Sequence, residues 1–210
     1  NIPYYCANDP FLRIDRRLRS AESRAAHFLY CGQIVPRKGV DLLVRSFCAL
    51  AQEHADVRLT LVGDGPLRAQ LAASIPEPIR RRVAWAGFKE ADELPPYFAG
   101  ANVFVLPSVH DGWGVVINQA VSAGMAVIAS TGVGAAADLV ADHGNGLIFP
   151  SQNEEALTAS LRFFAEHPEA IHQYGEASRA RARELGPEDG ADRWYRFCQT
   201  VLTCRPEFTR

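Results

Sequence analysis

The segment His110–Ser130, HDGWGVVINQAVSAGMAVIAS, decides the fold of this chain. The apolar run VFVL at 103–106 precedes it, and a second apolar run, AVIA at 126–129, closes it. Two apolar runs separated by a glycine-punctuated turn and a helical stretch predict a strand–loop–helix–strand unit. Gly112 and Gly114 would let a ligand approach the backbone, and free N–H groups at a helix N-terminus attract anions. The pattern fits a site for a small anionic molecule, or glycines that serve only a tight turn.

Composition places the chain among soluble globular proteins. It has 210 residues, of which 48% are hydrophobic and 22% charged, enough for a single α/β domain with a sizeable core. The net charge of −2 argues against nucleic acid or a membrane surface as the main partner. Arginine clusters occur at Arg16, Arg17 and Arg19 and at Arg80–Arg82, and each is expected to form a solvated face.

The chain carries no recognisable targeting or disulfide pattern. Its first residues, NIPYYCANDPFL, have neither the basic nor the apolar region of a signal peptide, and no apolar run approaches the roughly 20 residues that span a bilayer. The first residue is not Met, which suggests a processed chain or a fragment. The five cysteines lack CxxC pairs and regular spacing with histidine, so a metal site is not expected and a reducing, cytoplasmic setting is. Cys31 and Cys48 are expected in the core.

Strand-like runs alternate with helical periodicity along the chain. Strands are predicted at 27–31, 57–62, 82–86, 103–106 and 127–129, with a small edge strand at 147–149, and helices at 40–55, 67–73, 94–99 and 115–123. Beyond Ser151 the pattern is helical, at 154–166, 168–185 and 189–202. This alternation predicts an α/β fold with a doubly wound parallel sheet, helices on both faces and additional C-terminal helices. We expect a linker at 1–26, a Rossmann-like domain at 27–187 and a terminal helix and tail at 188–210.

Ligands of doubly wound sheets lie outside the carboxyl ends of the strands, so the loops there are the candidate site. The first strand leads into CGQIVPRKGVDLL, which places Arg37 and Lys38 before a helix. A lysine at a helix N-terminus is unfavourable for the helix dipole unless an anion such as phosphate offsets it, although a solvated loop lysine would also fit. The spacing is not that of a P-loop, and no glycine cluster matches GxGxxG.

The ordered motifs of the chain resemble a known family. FLYCGQIVPRKGVDLLVRSF, LTLVGDGPLRAQL, VAWAGF, ANVFVLPS, DGWGVVINQAVSAGMAVIAS and GNGLIFP are similar, in order and spacing, to the C-terminal domain of family-four retaining glycosyltransferases of the GT-B fold. The resemblance runs from about Ile2 to Leu202. It implies a domain that binds a nucleotide-diphosphate sugar, with the acceptor site mostly on an N-terminal domain. The helix at 188–210 would pack toward that missing domain.

The resemblance assigns roles to individual residues and exposes three departures. Lys38 matches the family's lysine on the donor diphosphate, but Gln33 stands where an arginine is expected. The family's two glutamates, separated by seven residues, are here Asp111, expected at the donor sugar, and Gln119, expected at the ribose hydroxyls. The remaining expected donor contacts are Arg37, Gly112, Trp113, Gly114, Val115 and Val116. Lys38 and Asp111 are the expected catalytic residues, while His110 could touch the donor or stand idle.

The implied activity is a hexosyltransferase reaction that retains the anomeric configuration and needs no metal or other cofactor. Negative charge builds on the departing β-phosphate, where Lys38 and the N–H groups of Val115 and Val116 would stabilise it. The expected partners are the nucleotide sugar and the N-terminal domain. Nucleic acid is not expected, and membrane association is expected only through the missing domain. The isolated domain is expected to be inactive. A degenerate nucleotide-sugar-binding module, favoured by the three departures, and a GT-B-like nucleotide-sugar epimerase are the alternatives.

Overall fold

A computed structural model describes residues 8–15 and 25–203 of the chain. It contains six strands: β1 (His27–Cys31), β2 (Arg58–Val62), β3 (Val83–Gly87), β4 (Val103–Leu106), β5 (Ala126–Ser130) and β6 (Gly146–Phe149). All neighbouring strands are parallel, and their order in the sheet is β3-β2-β1-β4-β5-β6. The predicted doubly wound parallel sheet is therefore confirmed, including the small edge strand.

Ten α-helices accompany the sheet in the described residues: α1 (Asp9–Leu12), α2 (Val40–Glu53), α3 (Arg68–Ser74), α4 (Glu77–Arg80), α5 (Pro95–Gly100), α6 (Val116–Ser122), α7 (Gly134–Leu139), α8 (Glu154–Glu166), α9 (Pro168–Ala182) and α10 (Pro187–Thr203). Two short 3₁₀ turns, at Pro36–Lys38 and Ala91–Glu93, complete the set. Every residue of β4 and β5 is buried, because helices cover both faces of the sheet centre.

The helices cover the sheet through apolar stripes that the sequence encodes. Leu43, Phe47 and Leu50 repeat at helical spacing along α2, and all three are fully buried in the core. Cys31 and Cys48 were expected in the core. Both pack against it but are only partly buried, because Cys31 is the last residue of β1 and Cys48 lies on the outer side of α2. Among the described residues no helix is long and apolar enough to cross a membrane.

Part of the expected linker packs against the domain. Residues 8–15 contain α1, and Phe11 and Ile14 are buried in the core. The ring of Phe11 meets that of Phe98 edge-on, with 4.9 Å between centroids. Residues 1–7 and 16–24 of this segment, with the cluster Arg16, Arg17 and Arg19, lie outside the described residues.

The expectation of a solvated arginine face is wrong for Arg82. Its guanidinium donates hydrogen bonds to the carbonyl oxygens of Ala51 at 2.7 Å and His54 at 2.8 Å. These carbonyls lie at the C-terminal end of α2, where the last turn lacks intrahelical donors and where a positive charge is favourable. Arg82 therefore caps α2 and fixes it against the start of β3.

Strand order decides where the loops meet. The chain runs outward from β1 to β3 in one direction and from β4 to β6 in the other. The loops after β1 and β4 consequently leave the sheet side by side, and they form the crevice in which doubly wound proteins bind ligands. The first of these loops carries Lys38 and the second carries Asp111.

Candidate functional site

The loop after β1 lies directly against the end of β4. Gly39 ends the 3₁₀ turn with φ of 64°, and a Cβ there would stand 2.2 Å from the carbonyl oxygen of Pro107. The carbonyl of Arg37 accepts a hydrogen bond from the N–H of Val109 at 2.8 Å. Only glycine allows both the left-handed backbone and the close approach at position 39. The sequence therefore fixes the position of Lys38 relative to the loop after β4.

The loop after β4 is held by the segment that follows β5. The N–H of Asp111 donates to Gly132 O at 2.8 Å, and the N–H of Gly134 donates to Asp111 O at 3.0 Å. Gly114 has φ of 85°, and a Cβ there would stand 2.9 Å from Cγ1 of Val133. These bonds and the tight packing fix the turn that leads into α6.

Lys38 and Asp111 form an ion pair across the crevice. The Lys38 Nζ contacts Oδ2 of Asp111, and the two side chains are only 14% and 13% exposed. The sequence placed both residues at the same edge of the sheet but did not predict their contact. The pair joins residues 73 positions apart, and its carboxylate belongs to the residue directly before the turn at Gly112–Gly114.

Gln33 and Arg37 lie on the solvent side of the same loop. Both side chains are exposed, and a guanidinium nitrogen of Arg37 donates to Oε1 of Gln33 at 3.3 Å. The backbone of Gln33 is tied down by the hydroxyl of Tyr30, which donates to the Gln33 carbonyl at 2.7 Å. Arg37 does not join the Lys38–Asp111 pair in the arrangement described, so Lys38 is the cation that faces Asp111.

The first turn of α6 presents backbone donors toward the crevice. No carbonyl of the described residues accepts a hydrogen bond from the N–H groups of Val115 or Val116. Val115 is 44% exposed, and Gln119 lies half-buried one turn further along the helix. Free N–H groups of this kind, together with the helix dipole, favour a bound anion by about 0.3–1 kcal/mol.

One residue at this turn, Asn118, was not identified from the sequence, whereas its partner Trp113 was an expected donor contact. Trp113 is half-buried, and its Nε1–H donates to Oδ1 of Asn118 at 2.9 Å; Asn118 is fully buried in α6. A polar residue on the inward side of an apolar helix was the available signal, because buried amides need hydrogen-bonding partners. His110, by contrast, is exposed, and its N–H is 3.4 Å from the Arg37 carbonyl oxygen.

Burial also changes the acidity of two groups beneath the site. The pKa of the Cys31 thiol rises to about 11, mainly because burial disfavours the thiolate, an effect that the positive charge of Lys38 partly opposes. Burial likewise raises the pKa of the Tyr30 phenol far above its ordinary value. Both groups are therefore neutral at physiological pH and act as hydrogen-bonding or packing groups.

A cavity of about 780 Å³ lies behind the loop after β1, between α2 and α3. Its polar lining comes from Arg37, Asp41, Arg45, Gln70, Ser74 and Gln152. The cavity shares the 3₁₀ turn with the crevice, but neither Lys38 nor Asp111 lines it. Among the described residues no group of three His, Cys, Asp or Glu side chains could hold a metal ion.

Comparisons with known proteins agree with this architecture. The family model for Glycosyl transferases group 1 matches residues 14–181. The chain is 31% identical over 121 residues to an alpha-D-kanosaminyltransferase of Streptomyces kanamyceticus, a match that covers 54% of this chain and 31% of the relative.

Solved structures give the same picture. A sucrose-phosphate synthase from Thermosynechococcus elongatus superposes with a TM-score of 0.78 at 26% identity, over 97% of this chain and 53% of that one. Anabaena Alr3699/HepE, solved with UDP and glucose, superposes with a TM-score of 0.66 at 21% identity, over 94% of this chain and 53% of that one. The chain thus spans about a third of the curated relative and half of these solved proteins. Because the family model covers most of its length, the chain belongs to the Glycosyl transferases group 1 family.

Proposed function

We propose that this chain is the donor-binding half of a glycosyltransferase, which transfers a hexose from a nucleotide-diphosphate sugar to an acceptor with retention of configuration. The observation that carries the proposal is the meeting of Lys38 and Asp111 beside the free N–H groups of Val115 and Val116. A cation, a carboxylate and backbone donors are then supplied by the two neighbouring loops at the carboxyl edge of the sheet, where nucleotides bind in this architecture. The solved relative that holds UDP and glucose supports the same ligand class.

Each group has a role in the proposed reaction. The bond between the anomeric carbon and the β-phosphate oxygen breaks, the oxygen of an acceptor hydroxyl forms the new bond, and the hydroxyl proton passes to the departing diphosphate. Lys38 and the N–H groups at the start of α6 stabilise the charge that develops on the departing phosphate. Asp111 lies against the sugar, and Gln119 binds the ribose hydroxyls as acceptor or donor. Gln33, Arg37, Gly112, Trp113 and Gly114 form the walls of the donor site.

We propose that no metal ion takes part in donor binding, because Lys38 and the backbone donors of α6 offer direct partners for the diphosphate. The test compares binding of the donor in EDTA with binding in added magnesium. Equal affinity supports this part of the proposal, and a strict requirement for a divalent ion contradicts it.

We also propose that the acceptor side lies on an N-terminal domain of the full-length protein. α10 supports this, because Trp194, Phe197 and Val201 lie at i, i+3 and i+7 and are 53%, 51% and 55% exposed. This apolar face is proposed to pack against that domain. The chain alone should therefore bind nucleotide without transferring sugar, and measurable transfer by residues 1–210 would contradict the two-domain reading.

The free cysteines Cys31, Cys48 and Cys198 suit a reducing, cytoplasmic setting.

The deciding experiment is a calorimetric screen of the 210-residue chain against UDP, GDP and ADP and their hexose derivatives. We expect one nucleoside diphosphate and its sugar to bind, and absence of binding by all of them would overturn the proposal. The binding-only module and the epimerase are not favoured, since the curated relative is named an alpha-D-kanosaminyltransferase and the chain belongs to the Glycosyl transferases group 1 family.

A further inference from the structure

Asn118 is a polar residue on the buried side of α6. Ile117, Ala120 and Val121 are fully buried neighbours on α6, and Asn118 is itself fully buried. A buried amide is costly unless it is hydrogen-bonded, so its presence points to a specific partner. One partner is the indole of Trp113, whose Nε1–H donates to Oδ1 of Asn118 at 2.9 Å.

Trp113 lies inside the turn that carries the candidate phosphate-binding groups. Its carbonyl accepts a hydrogen bond from the N–H of Ala135 at 2.8 Å, which ties the turn to α7. Its indole ties the same turn to α6 through Asn118. The turn is therefore held on both sides of residue 113, once through the backbone and once through the side chain.

From this arrangement we infer that Asn118 is a positioning residue for the donor site: by fixing the indole of Trp113 it sets the orientation of the turn, and hence of the N–H groups of Val115 and Val116. The inference rests on the proposed function, since it assumes that these N–H groups bind a diphosphate. Asn118 itself does not touch the ligand. It acts through Trp113, two residues before the first of the two donors.

The test uses single and double variants of the pair. Asn118→Leu removes the acceptor of the hydrogen bond between the two side chains, Trp113→Phe removes its donor, and the double variant removes both. Affinities for UDP, GDP and ADP and for the matching nucleosides are measured by calorimetry on the 210-residue chain. The nucleoside serves as an internal reference, because it lacks the phosphates that the turn would bind.

We expect each single variant to weaken binding of the nucleoside diphosphate about tenfold while changing nucleoside affinity less than about twofold. The double variant should lose less than the sum of the two single losses, because both members of one hydrogen bond are then removed together. Amide hydrogen exchange should quicken at Ile117 and Ala135, whose N–H groups donate to the carbonyls of Gly114 and Trp113. Trp113→Phe is the milder change, and it tests the inference if Asn118→Leu does not fold.

A buried asparagine away from the crevice provides the control. Asn145 is 3% exposed just before β6, at the opposite edge of the sheet, and its Nδ2 donates to the Leu139 carbonyl at 3.0 Å. Asn145→Leu should lower stability without changing the ratio of diphosphate to nucleoside affinity. If the ratio of diphosphate to nucleoside affinity is the same in the wild type, Asn118→Leu and Trp113→Phe, the inference is overturned and the proposed function still stands. Failure of the wild type to bind any of the three diphosphates would overturn both.

Discussion

Replacing Asp111 with asparagine should tighten the binding of a free nucleoside diphosphate. In the unliganded chain the Lys38 ammonium is held by the Asp111 carboxylate, and both side chains are largely shielded from solvent. A phosphate that approaches Lys38 must therefore compete with Asp111 and is also repelled by it. The variant keeps the shape of the side chain and removes its charge, so Lys38 becomes available to the ligand.

The size of the effect follows from the contact that is exchanged. A hydrogen bond to a charged group contributes about 1.5–3 kcal/mol in a protein. In the variant the ligand can gain most of this hydrogen-bond energy from Lys38. Its affinity, as the free diphosphate, should therefore rise roughly ten- to a hundredfold. The nucleotide sugar should gain less, because the variant also weakens the proposed contact between Asp111 and the sugar. Asp111 would thus help the site to discriminate between the donor and the spent nucleotide.

Calorimetric titration of the variant with the nucleoside diphosphate and with its sugar measures both effects. Glu53→Gln is the matched control, because it also removes one negative charge. That charge belongs to an exposed ion pair between Glu53, at the end of α2, and Arg162 of α8. It should leave both affinities unchanged, which excludes an effect of net charge alone. An unchanged or weakened affinity of Asp111→Asn for the free diphosphate, with the thermal midpoint retained, would refute the reasoning.

Three further predictions concern single groups of the site. Lys38→Ala should weaken diphosphate binding by about 1.5–3 kcal/mol and spare the nucleoside in calorimetry; equal losses for both would contradict a phosphate role. Gly114→Ala should lower the free energy of unfolding in urea by about 1–3 kcal/mol, because φ there is 85° and the added Cβ would press against Val133. Gly112→Ala is the control: its added Cβ has no heavy atom within 4 Å, so it should have little effect. Stability should fall between pH 9 and about 11, because the Cys31 thiol ionises near 9 when unfolded but near 11 when folded. Cys31→Ala should reduce this alkaline loss in urea titrations at several pH values, while a smaller loss remains because burial also raises the pKa of Tyr30 and Cys48. A slope identical to that of the wild type would contradict the assignment.

The sequence was sufficient to predict the sheet and the edge that carries the site. Apolar runs such as 103–106 and 126–129 are short, continuous and bounded by glycine or proline, so their strand character could be read directly. Once the strands were taken as parallel, the loops after β1 and β4 had to open at one edge. The grouping of Lys38 with Asp111 at that edge is a consequence of topology.

The contacts within the site could not be predicted in the same way. Whether Lys38 meets Asp111 depends on the path of two loops, and that path depends on the close approach of Gly39 to Pro107, which no local pattern encodes. The helices α1, α4 and α7 were missed because they span only four, four and six residues, too few to show helical periodicity. The role of Arg82 was missed because a run of arginines gives no sign of which guanidinium reaches a helix end.

Taken together, the three departures from the family pattern leave the net charge of the proposed site unchanged. An arginine and a glutamate of the pattern are replaced by the neutral Gln33 and Gln119, so one positive and one negative charge are lost together. The Lys38–Asp111 pair that remains is itself balanced. The proposed donor site therefore keeps its electrostatic balance, and with fewer cations it would depend more on the backbone donors of α6 to bind phosphate. Because backbone N–H groups act only over short distances and in fixed directions, phosphate binding at the proposed site would depend on the position of the turn at Gly112–Val116. The buried contact between Trp113 and Asn118, which we infer holds that turn, would matter for this reason.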